Sequence, residues 1–213
     1  MDIPLLQRYA TEESQLLVAE LYPGGVQAFH FPTEFETELL ASNRELRRVS
    51  WHAIVMRNQD GAPKHTILIG DDVTELRSTE AKIAMSAKIF EATHHAMVVT
   101  ALDGNIVAVN DAFTMLTDYS REEVLGQNPR ILQSGRQDDE FYAQMWKKLL
   151  ATGHWYGDIW DRRKDGSIYP KYLSISVIRN AAGEASHYSG IFYDISERKT
   201  VEERLDRLAH YDL

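Results

Sequence analysis

Side chains able to do chemistry are sparse in this sequence, and few are spaced to act together. There is no cysteine, which excludes disulfides, thiolate metal ligands and any thiol–cofactor adduct. His94 and His95 are adjacent, so on a strand their side chains point apart and make no metal pair. His154 and His187 fall at strand starts and are expected at the surface. The stretch 138–152, the long helix candidate of the second half, holds no histidine to act as an axial haem ligand. No Ser/His/Asp set, paired carboxylates or glycine-rich phosphate loop occurs at working spacing, so neither a catalytic nor a metal site is expected. One carboxylate stands apart. Period-2 alternation over His154–Asp161 puts Trp155, Gly157, Ile159 and Asp161 on one face of a strand. Burying a charge there is costly unless it is paired, since even a neutral polar group costs about 2–7 kcal/mol. Arg130 or Arg162 could neutralise Asp161; otherwise burial raises its pKa until it is protonated.

The elements that must position Asp161 follow from local signals. Met97–Thr100 and Ile106–Val109 are short apolar runs around Asp103-Gly104, a strong hairpin turn. A small helix is expected over Asn110–Leu116, and Ser120-Arg-Glu-Glu123 has the spacing of a capping box. Asp138 and Gly153 bracket a longer helix as its N-cap and its left-handed stop. Tyr142, Met145 or Trp146, and Leu149 make its buried stripe. Three strands follow, ending at Tyr193, with turns at Asp165-Gly166 and Ala182-Gly183. Leu173, Ile175 and Val177 alternate against Tyr172, Ser174 and Ser176, so one sheet face is apolar and concave toward the helices. The basic trio Arg162, Arg163 and Lys164 is expected as a solvated hairpin tip. The fold class is α+β: a five-stranded antiparallel sheet with short helices on one face.

Part of this pattern occurs twice. Arg57-Asn58-x-x-Gly61 matches Arg179-Asn180-x-x-Gly183, and Asp72-Val-Thr-Glu75 matches Asp194-Ile-Ser-Glu197, both 122 residues on. Each copy reads as strand, turn, strand, helix start. The first copy gives Val49–Met56 and His65–Gly70, with Phe35–Leu40 before them as a strand or a helix. It lacks room for the opening strands and short helices. Asp72 and Asp194 each precede a glutamate by three residues, the geometry of a capping box. The helices they open carry Leu76, Ile83 and Phe90, and Val201, Leu205 and Leu208, at heptad-like spacing. Such spacing suits either a coiled-coil pair or an amphipathic helix lying on its own domain. Near the N-terminus, Thr11-Glu-Glu-Ser14 could open a helix through Leu21, ended by Pro23-Gly24-Gly25.

At 213 residues and a net charge of −9, the chain lacks the basic footprint of a nucleic-acid binder. No apolar run reaches the 18 or so residues of a membrane span, and no signal peptide opens the chain. A cytoplasmic location is expected.

The second half resembles a PAS sensor domain. The likeness rests on Asp103-Gly104 with Asn110 and Phe113, on Tyr119–Asn128, on Arg162-Arg-Lys-Asp-Gly166, and on Asp194-Ile-Ser-Glu197. Asp118 departs from the family's usual glycine, but Asp tolerates a left-handed backbone. The resemblance implies an N-terminal helical segment over 1–25, an incomplete PAS-like half over 26–75 and a linker helix over 76–92. A complete PAS domain then covers 93–197, and a signalling helix over 198–213 leads to a missing effector. Leu208-Ala-His-Tyr-Asp-Leu213 is similar to the run that opens GGDEF diguanylate cyclase domains. This implies a non-catalytic sensor of a cyclic-di-GMP enzyme, dimerising through its linker helices; a ligand-free dimerisation module and a histidine kinase sensor are the alternatives.

Gly126–Gln133 looks like the flavin-contacting loop of light-sensing LOV domains, but Pro129 stands at the reactive cysteine, so no LOV adduct is expected. The flavin-edge positions of that branch fall on Asp161, Lys171 and Phe192, of which only Asp161 could hydrogen-bond as that branch requires. A closer likeness is to flavin-binding redox PAS domains of the nitrogen-fixation regulator type, which share the pocket tryptophan matched by Trp146 and have Asn at Asp161. The resemblance therefore implies a pocket at Asn128, Trp146, Trp155, Asp161, Leu173 and Ile175, with FAD, another small ligand or packed side chains inside it.

Overall fold

The computed structural model describes residues 11–12, 33–61 and 63–211. All but residues 11–12 of the helix expected over 11–21, and nearly all of the 1–25 segment, lie outside the described residues. The chain divides into two compact units after Met85.

In the first unit β1 (Glu34–Leu40), β2 (Leu46–Arg57) and β3 (Pro63–Asp72) form an antiparallel sheet in chain order, followed by α1 (Thr74–Ala92). The ambiguous Phe35–Leu40 stretch is thus a strand: its alternate residues have a partner strand to face, which a lone sequence window cannot reveal. In the second unit β4 (Ala96–Ala101) and β5 (Ile106–Val109) form the opening hairpin. Next come α2 (Asp111–Thr117), α3 (Arg121–Val124), a 3-10 turn at Pro129–Leu132 and α4 (Asp139–Thr152). The strands β6 (His154–Arg162), β7 (Ile168–Arg179) and β8 (Ala185–Asp194) complete an antiparallel sheet of order β5-β4-β8-β7-β6, and α5 (Ser196–Tyr211) leaves its last strand. His94 and His95 fall just before β4 rather than on it.

The repeat extends to strand register. Val49 pairs with Asp72 as Lys171 pairs with Asp194, and Phe35 with Trp51 as Gly157 with Leu173. Gly61 and Gly183 have φ of 80° and 81°, and each accepts a 3.0 Å bond at its carbonyl from Arg57 or Arg179. All of these positions keep the 122-residue offset, including β1, whose sequence gave no repeat signal.

Local caps do as their residue types require. Asn110, fully buried, accepts at Oδ1 from the amides of Met97 and Phe113, and its Nδ2 donates to the carbonyls of Phe90, Thr93 and His95. One side chain thereby caps α2 and ties it to β4 and the end of α1. Ser120 and Glu123 form the capping box, Asp138 accepts from Phe141 N at 2.9 Å, and Gly153 closes α4 at φ 82°. Asp118 takes φ 61°. The Asp72 and Asp194 boxes do not form as expected. Their carboxylates accept from the amides of Thr74 and Ser196, two residues on, making turns that precede the helices.

The basic trio is not a free hairpin tip. Arg163 pairs with Asp194 at 2.6 Å, donates to Leu116 O and lies over the Tyr169 ring, while Lys164 pairs with Glu123. The tip is thereby pinned to α2, α3 and β8, because the sheet's curvature brings the turn back over the short helices. Leu76, Ile83, Val201, Leu205 and Leu208 are exposed and Phe90 is half-buried, so among the described residues both heptad-like stripes stay largely uncovered.

Candidate functional site

The concave face of the second sheet, with α4 and the 3-10 turn, encloses a cavity of about 470 Å³. Val98, Ile159, Leu173, Ile175 and Phe192 line the sheet side; Leu132, Tyr142, Met145 and Trp146 line the helix side. Of the residues expected in the pocket, Asn128, Trp146, Asp161, Leu173 and Ile175 line it. Trp155 does not: it is 8% exposed, packed edge-on to Phe141 at 6.0 Å in the core. Trp146 is not part of a buried stripe either. At 39% exposed it sits on the rim, edge-on to Tyr188 at 5.3 Å, while Met145 and Leu149 turn inward.

Asp161 faces the cavity as the alternation of β6 requires, but its counter-ion is Lys171, not Arg130 or Arg162. Ile159 pairs with Lys171 and Asp161 with Tyr169 across β6 and β7, so the two charges are diagonal neighbours on one face. Both side chains are 4% exposed, and the Lys171 ammonium lies 3.8 Å from the centroid of the Phe192 ring. Burial pushes the Asp161 carboxyl up against the pull of Lys171, and pushes the Lys171 ammonium down against the pull of Asp161. The hydroxyls of Tyr142 and Tyr169 are buried without a hydrogen-bond partner among the described residues, and desolvation and the Asp161 charge raise the pKa of both. The cavity is thus lined by apolar side chains from both the sheet and α4, with Asp161, Lys171 and the Tyr142 phenol on its inner side and Thr100, Asn128, Arg130 and Gln133 also among its lining residues.

The repeat carries a signal for this pair. The positions 122 residues before Asp161 and Lys171 are Leu39 and Val49. Opposite charges replacing two aliphatic residues on paired strands mark a coupled change. The first unit also trades sizes: Trp51 and Gly70 stand where the second has Leu173 and Phe192. A Cβ on Gly70 would lie 2.6 Å from the Trp51 ring, whose Nε1 donates to Thr37 Oγ1 at 2.9 Å.

A family model described as the PAS fold matches residues 84–195, more than half of the chain. A nitrogen fixation regulatory protein of Klebsiella oxytoca is 38% identical over 110 residues, covering 52% of this chain and 22% of that protein. Blue-light-activated histidine kinase 1 of Erythrobacter litoralis (strain HTCC2594) is 32% identical over 95 residues, covering 45% of this chain and 26% of that one. The chain therefore spans about a fifth to a third of the length of the curated relatives it matches. The crystal structure of the PAS domain of a Colwellia psychrerythraea protein superposes with a TM-score of 0.52 at 27% identity, over 55% of this chain and 98% of that domain. Five antiparallel strands in the order β5-β4-β8-β7-β6, short helices over the concave face and the matched family model together place this chain in the PAS family, as a non-catalytic sensory and regulatory module.

Proposed function

We propose that the cavity of the second unit is a ligand site and that α5 carries its state to an attached output domain. The buried Asp161–Lys171 pair carries this reading. Replacing a buried ion pair with apolar residues is often neutral or stabilising, so stability alone does not explain retaining one. The first unit folds the same strands with Leu39 and Val49 at those positions. The pair is therefore a feature of the cavity, not of the fold.

Flavin is the ligand we favour, with FAD as the form. Asp161 offers an acceptor oxygen and Lys171 adjacent N–H donors, the complement of the neighbouring N–H and C=O groups on the edge of a flavin's pyrimidine ring. Trp146 and Tyr188 would flank the mouth. No cysteinyl–flavin adduct would form, since the chain has no cysteine. Bound there, a flavin would supply a redox-dependent change of charge and protonation at that edge. The likeness to a nitrogen fixation regulatory protein supports a regulatory role for the site, and the likeness to a blue-light-activated kinase supports a light-absorbing ligand such as flavin.

For the output, the tail Leu208–Leu213 favours a GGDEF-type cyclase, whereas the kinase relative favours a histidine kinase. The exposed heptad-like residues of α1 and α5 support pairing of two copies through these helices. The deciding measurement is the absorbance spectrum of the purified chain, or of the apoprotein after incubation with FAD. Flavin bands that vanish in Asp161→Leu/Lys171→Val are expected. A wild-type chain that neither retains nor takes up flavin overturns the flavin assignment.

A further inference from the structure

Asp158 stands on the outward face of β6, between Gly157 and Ile159. It takes two cations from the first turn of α5, Arg198 Nη2 at 2.7 Å and Lys199 Nζ at 3.1 Å. In the first unit Glu36 on β1 takes Arg77 Nη2, in the first turn of α1, at 2.5 Å. Glu36 and Asp158 are 122 residues apart, and so are Arg77 and Lys199. Neither position keeps its residue type between the copies, yet the ion pair recurs. The bonds beneath it recur as well: Val73 N donates to Arg48 O as Ile195 N donates to Pro170 O. The chain has thus twice fastened the helix that leaves a meander to the outward side of that meander's first strand.

The two copies differ on the inward side. Asp158 pairs across the strands with Tyr172, and the next pair in the ladder, Ile159 and Lys171, lines the cavity. At the equivalent places of the first unit stand Thr37 and Val49, with Thr37 accepting the bond from buried Trp51. The clip of the second unit is backed by a ligand-sized space, and that of the first by packed side chains.

We infer that Asp158 is a positioning residue, an ionic clip that converts displacement of the cavity wall at Ile159 and Lys171 into a changed seating of α5. The Glu36–Arg77 pair is the uncoupled version of the same device. This inference rests on the reading of α5 as the output element. An ionic clip suits that task because exposed pairs are individually weak, and both cations already share a second carboxylate, Glu202, at 3.6 Å from Arg198 Nε and 3.3 Å from Lys199 Nζ.

Hydrogen exchange on the 213-residue chain tests it. Asp158→Asn should speed exchange of amides 199–203 about three- to five-fold, leave the β7–β8 amides unchanged and be rescued by Asp158→Glu. Glu36→Gln should act on α1 alone. Lys171→Met, with Asp161→Leu/Lys171→Val as the second cavity variant should the first not fold, should alter amides 199–203 only while Asp158 is present. Unchanged α5 exchange in Asp158→Asn overturns the clip, and so does a cavity effect of equal size in both backgrounds. If the clip effect appears but both cavity variants are silent at α5, the clip is structural only, and the reading of α5 as output fails with the inference.

Discussion

The Lys171 ammonium lies against the Asp161 carboxylate inside the sheet's concavity, two residues off the directly opposed register, with the Phe192 ring beneath it. Each charge is tolerable there because of the other. Removing one leaves an uncompensated buried charge, whereas removing both leaves an apolar wall that the sister unit already uses.

Lys171→Met should therefore destabilise the second unit by about 3–5 kcal/mol, while Asp161→Leu/Lys171→Val should be neutral or stabilising by up to about 4 kcal/mol. Urea denaturation followed by the fluorescence of Trp155 and Trp160 measures both. A double variant as damaged as the single one would show that the pair holds the fold together.

Stability should depend on pH with opposite signs at two carboxylates. Partial burial opposes ionisation of Asp194, yet Ser196 and the Arg163 guanidinium outweigh it and hold the carboxyl below its usual range. Its stabilisation is full above the unfolded pKa, about 3.9, and is lost as pH falls through the lower folded value. Asp161 is raised by burial against the pull of Lys171, so its contribution is full below the unfolded pKa and is lost as pH rises through the higher folded value. Urea midpoints between neutral pH and about pH 3 should show Asp194→Asn removing part of the acid-side loss. Asp161→Asn should instead remove a loss on the rising side.

The two tryptophans of the expected pocket should part company. Trp155→Ala removes a core ring and should cost about 3–5 kcal/mol. Trp146→Ala removes a half-exposed ring with one edge-on partner and should cost about 1 kcal/mol, while changing flavin retention. Thermal melts and absorbance of the two variants, side by side, check this.

At the ends of α4 the costs should be those of the caps alone. Asp138→Ala loses the bond to Phe141 N and should cost about 1 kcal/mol. Gly153→Ala meets no neighbouring atom, so its cost of about 1–2 kcal/mol comes from the backbone at φ 82°. Denaturation midpoints shifted by far more would mean that the helix ends bear on the sheet.

Features that depend on near neighbours were legible in the sequence. The Asp103-Gly104 hairpin, the Ser120–Glu123 box, the Asp138 cap, the Gly153 stop and the alternation that sets Asp161 on one face with Ile159 involve residues at most four apart, or one strand's pleat. The duplication was legible too, because turns tolerate few residue types: Gly61 and Gly183 both take a left-handed backbone. β1 escaped notice as a repeat because its positions are filled differently in the two copies.

The tertiary structure alone decided what meets across strands. That Lys171 and not Arg130 or Arg162 neutralises Asp161 depends on the register of β6 against β7. That Trp146 stays at the rim while Met145 and Leu149 turn inward depends on how α4 is rotated over the sheet. That Asp158 reaches Arg198 and Lys199, about 40 residues away, depends on α5 turning back behind β6. Such pairings are set by the geometry of a closed core, in which each side chain's partner lies far along the chain and is chosen by what the other elements leave free.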